Sequence, residues 1–349
     1  MSPELQKIFT VDPFKEMNQD TPGEVCNLVK GKWVQSKTFR KDIPDPLNGE
    51  DFLNVPDTLE YKEFIDNLDI CPKSGLHNPL KNVERYLMLG EVCAKTAELL
   101  RDDEVAEYFA KLIQRVMPKS DSQCLGEVTV TRVFFENFSG DNVRFLARSF
   151  SNPGDHLGQE SSGYRWPFGS VCIIAPFNFP LNLALHKIGP ALAVGCSILI
   201  KPSPYTPLSL LAFAQLFDEV GGPNGVLNVL HTSIENAETM VKSDVFKMLS
   251  FTGSPQIGWK LKDIVGKKKV ALELGGNAGA YIDEDADIDK VAAQCAIGAF
   301  LYSGQICIST QRIYIHESIY TAFVEALKFA SEKLKVGDPN KEDTIVGPL

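Results

Sequence analysis

Downstream of Gly169 the sequence repeats one pattern: a short apolar run, a turn, then a helical stretch. The apolar runs cover 171–175, 197–200, 226–230, 245–251 and 270–274. Helical segments fit between them: one reaching Val194, one over 206–220, a short one after Leu230 and one running to about Val265. Strands that alternate with helices in this way pair in parallel, and the helices return the chain across both faces of the sheet. The expected class is therefore α/β, with a Rossmann-type parallel sheet drawing every strand from 169–275. A ligand on such a sheet sits beyond the carboxyl ends of the strands.

The flanking regions read differently. Residues 1–80 carry turn formers (Pro44, Pro46, Asn48-Gly49, Pro72) and suggest short strands and loops. From Arg85 to Val116 apolar residues recur at helical spacing (Leu89, Val92, Cys93, Leu99, Val105, Phe109, Leu112, Val116), and a further helix fits 135–150. Beyond 275 the pattern predicts a strand at 280–282, a helix over 288–302, a strand at 313–316 and a helix over 319–335. The last helix has an apolar stripe of Phe323, Ala326, Leu327, Ala330 and Leu334.

Charge and cysteine usage narrow the function classes. A net charge of −10 disfavours nucleic acid and anionic membrane surfaces as partners. The apolar stretch 171–200 is interrupted by Asn178, Asn182, His186, Lys187 and prolines, so it is not expected to span a bilayer. The cysteines are scattered with no C-x-x-C, so no metal site is expected and most of them read as small buried hydrophobes. Acidic residues precede the first arginine, Arg40, and no mitochondrial presequence is visible.

Asn178, Lys201, Gly253 and Glu273 all fall at predicted strand ends or in the turns after them, so they should meet on one sheet edge. Cys307 falls in the turn after a helix, where a reactive thiol can be exposed near hydrogen-bond donors. Singly, each has a bland reading: a turn asparagine, a solvated lysine, a structural cysteine. Gly253 and Gly258 lack the Gly-Lys-Ser/Thr ending of a P-loop, which excludes that site. Glu273 lies between leucines, where burying a carboxylate is costly without a purpose. No histidine occurs in a motif near Cys307, which leaves a cysteine hydrolase without its base.

Together, Pro176-Phe-Asn-Phe-Pro180, Ile200-Lys-Pro-Ser203, Phe251-Thr-Gly-Ser254, Leu272-Glu-Leu-Gly-Gly276 and Gly304-Gln-Ile-Cys307 match, in order, the signatures of the aldehyde dehydrogenases. The chain is identified on these motifs as a member of that superfamily. The resemblance implies oxidation of an aldehyde to a carboxylate with NAD as acceptor and NADP as the alternative. Cys307 would be the nucleophile, Asn178 and the Cys307 N–H the oxyanion donors, and Glu273 the base for thioester hydrolysis, its pKa raised by an apolar setting. Phe177, Lys201, Ser203, Gly253, Ser254 and Gly258 would hold the dinucleotide, with pyrophosphate at the start of the helix after Gly253.

Residues from about 25 to 181 most resemble the plant-type delta-1-pyrroline-5-carboxylate dehydrogenases, through Cys71-Pro-Lys-Ser-Gly-Leu-His, Ile113-Gln-Arg-Val-Met-Pro-Lys-Ser120, Glu136-Asn-Phe-Ser-Gly-Asp-Asn and Gly163-Tyr-Arg-Trp-Pro-Phe-Gly169. This implies L-glutamate γ-semialdehyde as substrate, a place in proline catabolism and a mitochondrial location, with a cytoplasmic one as the alternative. After Leu181 the chain looks like the general aldehyde dehydrogenases. Ile308 follows the nucleophile where the plant-type subfamily has a serine; Ser309 comes one later. Pro204 stands where NAD-preferring members often carry a glutamate. The alternatives are therefore a general aldehyde dehydrogenase of other range, or an inactive nucleotide-binding remnant. The resemblance divides the chain into an arm and dinucleotide domain, 1–275, with oligomerisation strands at about 148–168, and a catalytic domain, 276–349. Relatives continue past the position of Leu349, so that domain is expected to be incomplete, and the full-length form is expected to be a homo-oligomer.

Overall fold

The computed structural model describes residues 1–35, 42–58, 81–144, 147–151, 160–341 and 343–348. Cys71, Pro72, His77 and His156 lie outside them. The first part of the chain forms α1 (Pro3–Ile8), β1 (Gly23–Glu24), β2 (Asn27–Val29), β3 (Lys32–Val34), β4 (Ile43–Pro44) and β5 (Asp51–Asn54). Three helices follow: α2 (Val83–Leu99), α3 (Asp103–Val116) and α4 (Asp121–Arg144). A hairpin-like pair, β6 (Ala147–Ser151) and β7 (Glu160–Tyr164), is antiparallel.

The alternating region forms β8 (Ser170–Ile174), α5 (Asn182–Ala193), β9 (Ile198–Lys201), α6 (Leu208–Glu219), β10 (Leu227–Val229), α7 (Ile234–Lys242), β11 (Phe246–Thr252), α8 (Pro255–Ile264) and β12 (Lys269–Glu273). Among the described residues the central sheet has seven strands in the order β12-β11-β8-β9-β10-β2-β3. β8 to β12 pair in parallel. Successive residues of a strand face opposite sides of the sheet. Val171, Ile173, Ile198 and Ile200 join the large core with α2 to α6, while Cys172, Leu199, Leu249 and Phe251 join a second core with α7 and α8.

One expectation is corrected here: 169–275 does not supply every strand. β2 pairs antiparallel with β10, Leu28 opposite Val229, and β3 pairs antiparallel with β2. Asn27 Oδ1 accepts the His231 N–H at 2.8 Å, and Asn228 Oδ1 accepts the Lys30 N–H at 2.9 Å. The arm covers an edge whose main-chain groups would otherwise lie open.

Two helix boundaries also differ from the sequence reading. The stripe over 85–116 is two helices, and Asp102 starts the second by accepting the Val105 N–H at 3.1 Å. The helix expected at 135–150 instead spans α4 and ends before β6. Its inward positions include the buried polar residues Glu127 and Thr131, which interrupt the apolar periodicity that would have marked its start.

The remaining residues form β13 (Ala278–Ile282), α9 (Ile288–Phe300), a 3-10 turn (Leu301–Gly304), β14 (Thr310–Ile315) and α10 (Tyr320–Glu332). β13 and β14 pair in parallel as a separate two-stranded sheet. Phe323 is fully buried with Ile282, Ala292 and Cys295, and Ala326 and Leu327 pack against that cluster. Tyr320, Val324 and Phe329 of α10 are exposed. Among the described cysteines Cys93, Cys124, Cys172, Cys196 and Cys295 are buried and Cys307 is exposed. Among the described residues no helix is long and apolar enough to cross a membrane.

Candidate active site

The carboxyl ends of β8, β9 and β11 open onto a cleft of about 290 Å³. Phe177, Lys201, Ser203, Gly253 and Ser254 all line it, with Pro204, Tyr205, Ile234, Phe251 and Ile257. Gly258, in the first turn of α8, is not among the lining residues; its N–H bonds Ser254 O at 3.0 Å. A Cβ there would run into the Leu274 side chain, so glycine lets α8 lie close to the segment after β12. α8 opens at Ser254 with no side-chain cap, and Thr252 Oγ1 is buried without a hydrogen-bond partner. An uncapped helix start, a lysine at a strand end and apolar walls fit the phosphates, ribose and base of a dinucleotide.

Cys307 follows α9 and the turn Leu301–Gly304. Tyr302 and Ser303 both adopt left-handed backbone, at φ 53° and 54°. Such non-glycine conformations cost on the order of 1–3 kcal/mol each and persist only where surrounding contacts enforce them. Here Ser303 Oγ donates to Gly347 O at 2.7 Å and the Tyr302 ring is buried. Beyond the thiol, Ile308 is 78% exposed. Ser309 is buried, and its hydroxyl meets the carbonyls of Gly298 and Ala299 at 3.2 and 3.0 Å. It closes the end of α9 and offers nothing to a substrate.

Asn178 lies in the turn between β8 and α5. Its Nδ2 donates to the main-chain carbonyl of Gln305 at 3.0 Å, and its Oδ1 accepts the Phe179 N–H at 3.1 Å. The carboxamide is therefore oriented and tied to the thiol loop. From the other side, Gly276 sits so close that a Cβ would collide with the Cys307 carbonyl oxygen. The end of β12 and the thiol loop are in contact at that point.

Glu273 is exposed. This corrects the expected buried setting: the apolar neighbours Leu272 and Leu274 pack toward α7 and α8, and alternation turns the carboxylate the other way. Its field reaches Lys187 on α5. Burial pushes the Lys187 ammonium down to about 8, with Glu273 acting in the opposite direction, and Nζ donates to Ser250 Oγ at 3.2 Å. His186 lies beside it, its ring tilted against that of Phe134 with centroids 4.1 Å apart. Its pKa is lowered by burial and by Lys187, while Glu273 again opposes.

Sequence reasoning missed Lys187 and His186, although both sit a few residues from Asn178. Helical periodicity offered a signal for Lys187, a charge on the buried face of an otherwise apolar helix. Nothing comparable marked Lys119 and Glu127, a buried pair at 2.6 Å. Glu127 Oε1 accepts the N–H groups of Leu181 and Asn182, both at 3.0 Å, and so caps α5 from another helix.

Comparison with known proteins places the chain among relatives of one family. The aldehyde dehydrogenase family model matches residues 88–349. A probable aldehyde dehydrogenase of Linum usitatissimum is 41% identical over 97% of the chain and 61% of its own length. The mitochondrial delta-1-pyrroline-5-carboxylate dehydrogenase 12A1 of Arabidopsis thaliana is 40% identical over 97% and 60%. A 3-sulfolactaldehyde dehydrogenase of Priestia aryabhattai is 37% identical over 84% and 61%. Among solved structures, aldehyde dehydrogenase 21 from Physcomitrella patens, in complex with the reaction product succinate, superposes with a TM-score of 0.82 at 30% identity, covering 94% of this chain and 68% of that one. The chain thus spans about three fifths of the length of the curated relatives it matches.

Proposed function

The chain belongs to the aldehyde dehydrogenase family, and from that premise we propose that it serves the NAD(P)-linked oxidation of a small aldehyde to its carboxylate. The observation that carries this reading is the Asn178 Nδ2 to Gln305 O hydrogen bond, which brings an amide donor to the loop of an exposed thiol. Cys307 Sγ adds to the aldehyde carbon. The carbonyl oxygen, becoming an oxyanion, takes hydrogen bonds from Asn178 Nδ2 and the Cys307 N–H, released from or shared with its resting partner. The dinucleotide, when bound in the cleft, supplies the hydride acceptor. Glu273 then takes a proton from water, whose oxygen adds to the thioester carbon; the carboxylate product leaves and the Cys307 thiolate is restored. Lys187 stands within the field of Glu273, which opposes the loss of the Lys187 proton that burial favours.

The substrate class is a short aldehyde with an anionic far end. The names of the relatives support this: a pyrroline carboxylate, a sulfonated aldehyde and a succinate product. L-glutamate γ-semialdehyde is the first member to test, because the likeness to the plant enzyme covers nearly the whole chain. Ile308 and Ser309 provide no donor for its carboxylate, so that donor has to come from elsewhere. NAD is the preferred acceptor by the same likeness, and Pro204 presents no carboxylate against a 2′-phosphate. A division at 275, subunit assembly through the β6–β7 pair into a homo-oligomer, and a mitochondrial location are extensions of this reading.

The test is NAD(P)H formation by the purified chain, wild type and Cys307→Ala, with glutamate γ-semialdehyde, succinate semialdehyde and butyraldehyde. Turnover that requires Cys307 and favours the anionic aldehydes is expected. Nucleotide binding with no turnover of any aldehyde would move the chain to a nucleotide-binding remnant.

A further inference from the structure

Lys119 and Glu127 take no part in the chemistry above, yet they stand behind both halves of the site. Their side chains are 1% and 0% exposed. Lys119 Nζ lies 3.8 Å from the ring centroid of Phe179 and 4.6 Å from that of Tyr302. The two rings are themselves edge to face, 6.0 Å apart. Phe179 directly follows Asn178. Tyr302 is the first of the left-handed residues that turn the chain toward Cys307. A desolvated ammonium is attracted to the faces of aromatic rings, so a single buried cation draws the oxyanion-donor turn and the thiol loop onto each other. Glu127 holds that cation at 2.6 Å with Oε2 and uses Oε1 to fix the start of α5.

We propose that Lys119 is a positioning residue: its ammonium, held between the Phe179 and Tyr302 rings and anchored by Glu127, enforces the strained Tyr302–Ser303 turn and thereby the placement of Cys307 against Asn178. The inference rests on the reading of Cys307 and Asn178 as the reacting thiol and its oxyanion donor. A pair that served stability alone would have no need of aromatic rings drawn from the segments on either side of the reacting groups. Thr131 extends the arrangement, with its hydroxyl 2.8 Å from Glu127 O and 3.2 Å from Asn182 Oδ1.

Removing Lys119 alone would strand a buried carboxylate and risk unfolding. The double variant Lys119→Met/Glu127→Gln removes both charges at similar volume and keeps an oxygen for the Leu181 and Asn182 N–H groups. Tyr302→Leu keeps the ion pair and the α5 cap but removes one ring; it serves if the double variant does not fold. Hydrogen exchange is measured on peptides covering 301–307 and 182–193, together with the melting temperature and the steady-state kinetics with succinate semialdehyde and NAD+. Expected is a loss of about tenfold in protection of 301–307, with 182–193 and melting little changed, and a fall in kcat with KM for NAD+ held. Unchanged exchange over 301–307 in a folded variant, or loosening spread equally over both segments, overturns the proposal. A wild-type chain that turns over no aldehyde while its variants loosen only at 301–307 would sink the assigned reaction and leave the positioning role standing.

Discussion

Asn178 Nδ2 lies 3.0 Å from the carbonyl oxygen of Gln305, two residues before the exposed thiol of Cys307. The same amide that is to receive a developing oxyanion is thus held, in this state, by the loop that delivers the nucleophile. Asn178→Ala removes the donor that, on this reading, meets the charge developing on oxygen. It should lower kcat by about 10²- to 10³-fold with little change in nucleotide affinity, as read by steady-state kinetics and NAD titration. A proportional loss of nucleotide binding would place Asn178 in the cofactor site instead.

Cys295 and Cys307 make opposite predictions. Cys295 is 7% exposed in α9, and burial raises its thiol pKa, so it is a poor nucleophile. Cys307 is exposed. Cys307→Ala should abolish aldehyde oxidation, and Cys295→Ala should leave it nearly intact. Equal losses in NADH formation from both folded variants would count against the assignment.

Glu273 acts, on this reading, after hydride transfer. Glu273→Gln should slow thioester hydrolysis more than reduction of the acceptor, so stopped-flow absorbance should show a burst of NADH before a slow steady state. Disappearance of the burst in a folded variant would mean that Glu273 works earlier.

Gly276 should be intolerant of a side chain for a reason unrelated to stability. It is exposed, and the atom its Cβ would strike is the Cys307 carbonyl oxygen. Gly276→Ala should displace the thiol loop and reduce kcat by about a hundredfold, since a misplacement near 1 Å costs that much. The melting temperature should move little. Full activity in Gly276→Ala would show that the loop yields freely.

His231 gives the fold an acid-sensitive point. It is fully buried, and burial, followed by the nearby Lys201, pushes its pKa down to about 3. The unfolded chain takes a proton near the ordinary histidine value of 6.5 that the folded chain refuses until about 3. Stability is therefore intact above 6.5 and falls as pH drops through that window. At pH 5 the loss should be about 2 kcal/mol. Urea unfolding at pH 7 and pH 5 should show His231→Gln losing less stability than wild type between the two; equal losses would place the acid sensitivity at other groups.

Much of this molecule is legible from short windows of sequence. The strands of the parallel sheet fall within a residue or so of where the alternation puts them. Cys307, Asn178, Lys201, Gly253 and Glu273 were singled out as candidates because each belongs to a contiguous motif. What failed was whatever depended on a partner distant in the chain. The start of α4 was hidden because its inner face carries Glu127 and Thr131, polar groups that are acceptable there only because Lys119 and the α5 N–H groups meet them. Short strands were expected in the arm, but their pairing with the central sheet was missed because it joins them to β10, far along the chain.

The sequence by itself determined the α/β class, the order of the sheet-forming runs and the identities of the residues proposed for the reaction, because periodicity and turn chemistry act between near neighbours. Only the tertiary structure decided that Glu273 is exposed, that its field meets Lys187, that Ser309 closes a helix, and that Lys119 lies between Phe179 and Tyr302. Burial and charge pairing are properties of packed surfaces, and packing joins residues whose separation in sequence carries no record of the contact.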